Sequence, residues 1–139
     1  MKTKACTDIQ QGRKLAEILP LESADMCLNI SQFRSTPPLM IPYSKFDEFF
    51  NVSKTPEYLI PCWSLDTLLN ILPPYLFEFE RGIDLNIYPN LNGKGWHCSY
   101  MPNNIENMKT DKFKLITSED TLIDACYEMI LRLNEQKLL

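Results

Sequence analysis

At 139 residues the chain is long enough to bury a core of its own, so a single domain over residues 1–139 is the default expectation. Its formal net charge of -4 disfavours a nucleic-acid partner, because such binding depends on clustered lysine and arginine. The sequence holds no apolar stretch of membrane-spanning length and no signal-peptide pattern near its start. It therefore predicts a cytoplasmic protein that does not bind a membrane.

The cysteines and the histidine give no metal or disulfide signature. The five cysteines are scattered without a CxxC pair, and His97 is the only histidine. Zinc sites usually draw on Cys or His ligands in paired spacings. We therefore predict no metal, no cofactor, and cysteines that are reduced and mostly buried.

The first predicted helix covers residues 8–19. Thr7 or Asp8 can cap its start, and Pro20 ends it. Gly12 is expected to weaken this helix by about 1 kcal/mol relative to alanine.

Residues 31–61 form the irregular part of the chain, because five prolines interrupt regular strand pairing there. Long structured loops occur both as lids and as packed connections, so both readings stay open for this segment. Just before it, residues 24–30 are compatible with a short strand.

The helix predicted over residues 64–72 has both of its ends specified. Ser64 is a suitable N-cap, and Trp63 and Leu68 have the spacing of a hydrophobic staple. The prolines at 73–74 stop the helix because they lack backbone N–H groups.

An antiparallel meander of three to four strands is predicted over about residues 75–116. Asn92-Gly93 is a strong hairpin signal and favours a type I′ turn. Centring the hairpin there pairs apolar residues with apolar ones and polar residues with polar ones, as a sheet with one buried face requires. The predicted pairs are Tyr88 with His97, Ile87 with Cys98, Asn86 with Ser99, and Leu85 with Tyr100.

The preceding turn is predicted at residues 81–83. A loop of that length pairs Phe79 with Leu85 and keeps the apolar side chains on one face, whereas a loop one residue shorter would reverse the faces. Residues 113–116 are expected to add the fourth strand.

The last predicted helix covers residues 121–136, with Asp120 as its N-cap. Its apolar stripe consists of Leu122, Cys126, Met129, Ile130 and Leu133. Together these elements predict an α+β fold, in which the helices over about 8–19, 64–72 and 121–136 pack on one face of the meander.

The other face of the meander carries the candidate binding residues, which are Tyr88, His97, Glu78, Glu80, Asn86 and Ser99. A catalytic pair of His97 and Cys98 is rejected, because adjacent strand residues point to opposite faces. Glu78, Glu80 and His97 could hold a metal or exchange protons, but a solvated sheet face explains them more simply. We therefore predict no catalytic residues.

Four stretches resemble small proteins of unknown activity that are frequent in Bacteroides-type genomes. They are Ala24-Asp25-Met26, Ile60-Pro61-Cys62-Trp63-Ser64-Leu65, residues 85–90, and Ile123-Asp124-Ala125-Cys126-Tyr127-Glu128-Met129-Ile130. The resemblance implies a shared fold and carriage on prophages or other mobile elements. It brings no catalytic residues.

The leading functional hypothesis is a non-enzymatic interaction module, and its more specific form is an accessory protein of a mobile element. Its partner would be another protein, with a homo-oligomer as an alternative. A second hypothesis is a small-molecule-binding protein or enzyme, with its pocket between residues 31–61 and the sheet.

Overall fold

The computed structural model describes residues 4–30, 39–40, 59–76, 83–102 and 114–139. Contacts along the chain divide it into two compact units, which we call the N-terminal unit (Lys4–Thr67) and the C-terminal unit (Leu68–Leu139). Each unit contains a three-stranded antiparallel sheet. The predicted α+β class with an antiparallel sheet is therefore confirmed.

The N-terminal unit contains a helix and a sheet of order β2-β1-β3. Its elements are α1 (Ile9–Ala16), a 3-10 turn (Leu21–Ser23), β1 (Met26–Asn29), β2 (Leu39–Met40) and β3 (Leu59–Cys62). The strand compatible with residues 24–30 is thus present. No strand is predicted at β3, because Pro61 signals a break in regular pairing. The structure tolerates Pro61 because β3 lies at the edge of this sheet, where a missing N–H breaks no ladder.

Helix α1 begins as predicted and ends earlier. Asp8 is the N-cap, and its carboxylate accepts a hydrogen bond from the Gln11 N–H at 2.9 Å. The Gln11 side chain accepts in return from the Asp8 N–H at 3.0 Å, which completes a capping box. The predicted end at residue 19 is wrong. The helix stops at Ala16, because the next N–H groups turn back to carbonyls three residues earlier.

Trp63 and Ser64, the two residues just before the second helix, form hydrogen bonds with other residues of the N-terminal unit. Trp63 is fully buried, and its indole N–H donates to the Ser23 hydroxyl at 3.0 Å. Its backbone N–H donates to the Thr7 hydroxyl at 3.1 Å. Ser64 donates to both carboxylate oxygens of Asp25, from its backbone N–H at 2.8 Å and from its hydroxyl. These contacts set the direction in which the chain enters the helix.

Helix α2 (Leu65–Ile71) begins in the N-terminal unit and ends in the C-terminal unit. Ser64 acts as the predicted cap, since its hydroxyl oxygen accepts from the Thr67 N–H at 3.4 Å. The helix ends just before the proline pair, as predicted.

The C-terminal unit consists of a sheet of order β4-β5-β6 and a long helix. Its further elements are β4 (Ile83–Pro89), β5 (Trp96–Pro102), β6 (Leu115–Glu119) and α3 (Leu122–Glu135). The predicted fourth strand at 113–116 corresponds to β6, which begins and ends later than expected.

Helix α3 packs on the inner face of this sheet. The buried Thr117 hydroxyl on β6 donates to the Ala125 carbonyl of the helix at 2.8 Å. The predicted N-cap at Asp120 is wrong by one residue. Thr121 is the cap, because its hydroxyl accepts from the Asp124 N–H at 3.1 Å. The predicted stripe is buried except for Leu122, which is half-buried.

The turn predicted at residues 81–83 is also wrong at one end. Ile83 is a strand residue that pairs with Pro102. Tyr75 bridges to Asp84, and Leu85 donates its N–H to the Pro74 carbonyl at 2.9 Å. The predicted loop would have placed Tyr75 opposite Pro89 instead. Phe77 and Phe79 lie outside the described residues. A local turn signal such as Arg81-Gly82 does not by itself determine the offset between the strands.

Candidate interaction surface

The β4–β5 hairpin has the predicted register. All four predicted pairs occur, among them Tyr88 opposite His97 and Asn86 opposite Ser99. Ile83 is buried and Leu85 and Ile87 are half-buried, whereas Asp84, Asn86 and Tyr88 are exposed. The alternation along β4 therefore separates an inner from an outer face, as expected for a half-covered strand.

The connection of this hairpin differs from the predicted type I′ turn. That turn needs a positive φ at both central residues. Among the described non-glycine residues, only Lys137 has a positive φ, so Asn92 does not adopt the required conformation. The connection covers residues 90–95 and uses positive φ values at Gly93 (73°) and Gly95 (81°). The register survives because the longer loop is centred on the same two residues.

Three rows of side chains make up the outer face of the β4–β6 sheet. Paired residues on neighbouring strands have side chains on the same face. We call the set the outer sheet surface, with the rows Tyr75, Asp84 and Met101; Asn86, Ser99 and Ile116; and Tyr88, His97 and Ser118.

Tyr88 and His97 form an aromatic pair across the two strands. Their ring centroids are 5.0 Å apart and the ring planes are inclined by 38°. Tyr88 is 42% exposed, while His97 is half-buried. The histidine thus supports one side of the tyrosine ring and leaves much of it open to a partner.

The remaining predicted binding residues are not equally available. Asn86 is exposed, and its amide donates to the Asp84 carbonyl at 3.0 Å. Ser99 lies on the predicted face but is only 2% exposed, since it is a small residue in the central strand between Asn86 and Ile116. Ser99 can therefore shape the surface, but it offers little area for contact. Glu78 and Glu80 lie outside the described residues.

Two large hydrophobic residues that are exposed on the outer sheet surface were not among the predicted binding residues. Ile116 is 37% exposed, and Tyr75 is also exposed. Ile116 could have been found from the alternation of β6, where Leu115 and Thr117 are buried. Tyr75 could not, because its place follows from the long-range bridge to Asp84.

The structure keeps His97 and Cys98 apart, as the strand alternation predicts. Cys98 is fully buried, and the Cys126 thiol on helix α3 is the largest influence on its pKa. The hydrogen bond donated by Cys126 lowers the pKa of Cys98, and burial opposes this effect. The same bond is the main reason that the pKa of Cys126 is raised. The thiol of Cys98 is thus engaged inside the C-terminal unit and does not reach the outer sheet surface.

Two polar atoms near the hairpin end are shielded from solvent without a hydrogen-bond partner in the described part of the chain. They are the Nδ1 atom of His97 and the side-chain oxygen of Asn90. A buried polar atom left unpaired costs about 1–3 kcal/mol. The row that contains the exposed Tyr88 thus also contains a polar atom with unused hydrogen-bonding capacity.

An open cleft of about 620 Å³ lies in the N-terminal unit. Its walls come from residues 4–10 and from Leu28, and its lining is mostly apolar. The pocket predicted between residues 31–61 and the sheet is a different place, and most of that segment lies outside the described residues.

Within the described ranges, no three His, Cys, Asp or Glu side chains are grouped so that they could hold a metal ion. The helices described here are too short or too polar to cross a membrane.

Comparisons of the chain with protein-family models, with curated proteins and with solved structures found no match.

Proposed function

We propose that this chain is a non-enzymatic interaction module that binds another protein through the outer sheet surface. The observation that carries the proposal is the exposed Tyr88 ring, held against His97 on a sheet face that also exposes Ile116. An accessory role on a mobile element stays a prediction.

Tyr88 has the properties of a contact residue at the centre of an interface. Tyrosine is enriched in protein interfaces, because its ring provides a large apolar area and its hydroxyl a hydrogen bond. The packing against His97 restricts the ring before a partner arrives. Less conformational entropy is then lost on binding.

The size of the outer sheet surface suits the centre of an interface. Its rows lie about 7 Å apart and its strands about 4.8 Å apart, so its nine positions cover roughly 300 Å² of the sheet plane. A stable interface buries about 800 Å² on each partner. A partner would therefore contact this surface and the residues around it.

Charge supports a protein partner over a nucleic acid. The net charge is -4, and the outer sheet surface contains Asp84 but no lysine or arginine. Nucleic-acid binding proteins neutralise phosphates with basic side chains. Binding should therefore survive nuclease treatment.

The test is capture from the native host's lysate on the immobilised full chain, with and without nuclease, followed by affinity measurement with the partner that is identified. We expect Tyr88→Ala to weaken that affinity by about tenfold or more, which corresponds to about 1.4 kcal/mol. Ile116→Ala should weaken it as well.

Ile9→Ala is a matched control, since Ile9 is also 37% exposed but belongs to the N-terminal unit. It should leave the affinity unchanged, and thermal denaturation should show that all three variants are folded. Equal affinity of Tyr88→Ala and the wild-type chain would rule out the outer sheet surface as the site.

A second copy of the chain is the alternative partner. Light scattering during size-exclusion chromatography would then show a dimer of the pure protein, and Tyr88→Ala would dissociate it. A monomer at all concentrations tested would exclude self-association.

The alternative function is small-molecule binding, and the cleft in the N-terminal unit favours it. Its volume of about 620 Å³ is within the range of ligand pockets, about 300–1,000 Å³. A thermal-shift screen of metabolites tests this function. A genuine ligand should raise the melting temperature of the wild-type chain but not of Ala5→Trp, whose added ring would fill part of the cleft.

A further inference from the structure

Four of the five cysteines form two thiol pairs, one in each unit. In the N-terminal unit Cys6 packs in one buried cluster with Cys62. In the C-terminal unit Cys98 and Cys126 influence each other's pKa, which is lowered for Cys98 and raised for Cys126. Cys27 pairs with Pro61 across β1 and β3, next to the pair of Met26 and Cys62. Because neighbouring strand residues point to opposite faces, Cys27 lies on the other face from Cys62.

Backbone contacts hold Cys6 beside Cys62. Cys6 forms an antiparallel bridge with Ser64, and the Thr7 N–H donates to the Trp63 carbonyl at 3.0 Å. Cys6, Cys62 and Met26 pack together in one buried cluster. The two sulfur atoms are therefore kept close without a covalent bond.

The Cys6–Cys62 pair differs from the Cys98–Cys126 pair in how easily a reagent in solvent can reach one of its thiols. Cys6 is 4% exposed and is one of the residues that line the open cleft, so a small reagent in the cleft can approach it. Cys62, Cys98 and Cys126 have no exposed surface. A thiol must be reachable to react, whatever its acidity.

The surroundings of Cys6 also favour its thiolate. The hydrogen bond donated by Cys62 is the largest influence and lowers the pKa of Cys6, and the positive charge of Lys4 acts in the same direction. Burial opposes both, and so do the negative charges of Asp25 and Asp8. The same hydrogen bond raises the pKa of Cys62, so Cys62 keeps its proton while Cys6 reacts. Cys126 lowers the pKa of Cys98 in a similar way, so the pKa shifts alone do not predict which of the two pairs reacts faster.

We propose that Cys6 is a peroxide-reactive site and that its oxidation ends in a disulfide with Cys62. This assignment rests on the thiol pair and the cleft beside it, and it is independent of the outer sheet surface.

The reaction has two steps. The Cys6 thiolate attacks one oxygen of hydrogen peroxide, the O–O bond breaks, and Cys6 becomes a sulfenic acid while the departing hydroxide takes up the thiol proton as water. The Cys62 sulfur then attacks the Cys6 sulfur. The S–S bond forms, the S–O bond breaks, and the second hydroxide leaves as water with the proton of Cys62. The two thiols together lose two electrons, and one molecule of hydrogen peroxide is reduced to two molecules of water.

The test is a time course of the folded full chain with hydrogen peroxide, followed by alkylation of the remaining thiols and tryptic mapping without reductant. Trypsin places each cysteine in a separate peptide, with Cys6 in residues 5–13 and Cys62 in residues 55–81. We expect a cross-linked product of these two peptides. It should form about tenfold or more faster than any oxidation of Cys98 or Cys126.

Variants identify the role of each sulfur. In Cys62→Ser, oxidation should stop at a Cys6 sulfenic acid that dimedone labels. In Cys6→Ser, Cys62 should remain a thiol. Cys126→Ser is the control and should leave the Cys6–Cys62 product unchanged.

Three results would overturn the proposal. They are oxidation of Cys98 as fast as that of Cys6, a Cys6 that stays reduced while other thiols react, and a disulfide between the Cys6 residues of two chains. The wild-type time course decides all three, so the proposal stays testable even if a serine variant fails to fold.

Discussion

Gly12 lies where helix α1 comes closest to strand β3. A Cβ atom at this position would lie 2.2 Å from the Pro61 carbonyl oxygen and 3.2 Å from the Ile60 side chain. By propensity alone, glycine in the middle of a helix is unfavourable. Here the missing side chain allows the helix to approach the strand, so the residue that weakens α1 by itself is required by its packing.

Gly12→Ala should therefore destabilise the protein, although alanine favours an isolated helix by about 1 kcal/mol. Overpacking against a backbone atom typically costs about 1–3 kcal/mol, because the backbone has to move. Urea denaturation should show a lower midpoint for this variant.

Gln10→Ala is the control, because Gln10 is an exposed residue of the same helix. Its midpoint should be unchanged or slightly raised. A Gly12→Ala variant at least as stable as the wild-type chain would show that the contact between α1 and β3 relaxes without cost.

At the level of elements, acidic side chains meet where strand β6 passes into helix α3. Burial is the main cause that raises the pKa of Glu119, and the charges of Glu128, Asp124 and Asp120 add to it. Arg132 acts in the opposite direction. Acidic residues in the first turn of a helix are favourable by themselves, but at this junction they also repel one another.

Glu119→Gln should stabilise the protein at about pH 7. A carboxyl whose folded pKa is raised above its unfolded value contributes stability at low pH, and this contribution is lost as the pH rises through the folded pKa. The melting temperature of the variant should thus exceed that of the wild-type chain near neutrality. The difference should shrink as the pH falls through the folded pKa of Glu119.

Glu135→Gln serves as the control, because it changes the net charge equally but lies in the last turn of α3. A pH-independent difference for Glu119→Gln would mean that the ionised carboxylate is not the cause.

Local sequence patterns predicted the strand register of this chain better than they predicted the ends of its elements. The alternation along β4 and β5 predicted a register that the structure confirms at every pair from Leu85–Tyr100 to Tyr88–His97. The predicted partner of Tyr75 is wrong, because the bridge from Tyr75 to Asp84 depends on tertiary contacts and not on local side-chain patterns. The predicted N-cap of α3 differs from the observed one by one residue. Asp120 and Thr121 are both suitable cap residues, and the structure uses Thr121, whose side chain accepts from the Asp124 N–H.

At the scale of the whole molecule, the chain forms two compact units that share helix α2. The helix runs from Leu65 to Ile71, and the division falls between Thr67 and Leu68. Unfolding of either unit would remove part of this helix. A single domain over residues 1–139 stays a prediction, and the shared helix is the reason to expect it.

We therefore expect one cooperative thermal transition of the full chain. Differential scanning calorimetry should give a calorimetric enthalpy equal to the van't Hoff enthalpy, which is the mark of two-state unfolding. Two resolved transitions, or a calorimetric enthalpy well above the van't Hoff value, would show that the units unfold independently.

Features of this protein that depend on neighbouring residues could be predicted from the amino-acid sequence. Side-chain alternation predicted the outer placement of Tyr88, His97 and Asn86, and cap and proline signals predicted α2 and the start of α1. Contacts between distant residues are not encoded in such patterns. Only the tertiary structure decided that β3 joins a second sheet, that Ser99 is covered, and that Cys6 meets Cys62 beside a cleft. The physical reason is that local hydrogen bonding and side-chain periodicity act over a few residues, whereas burial depends on which distant segments pack together.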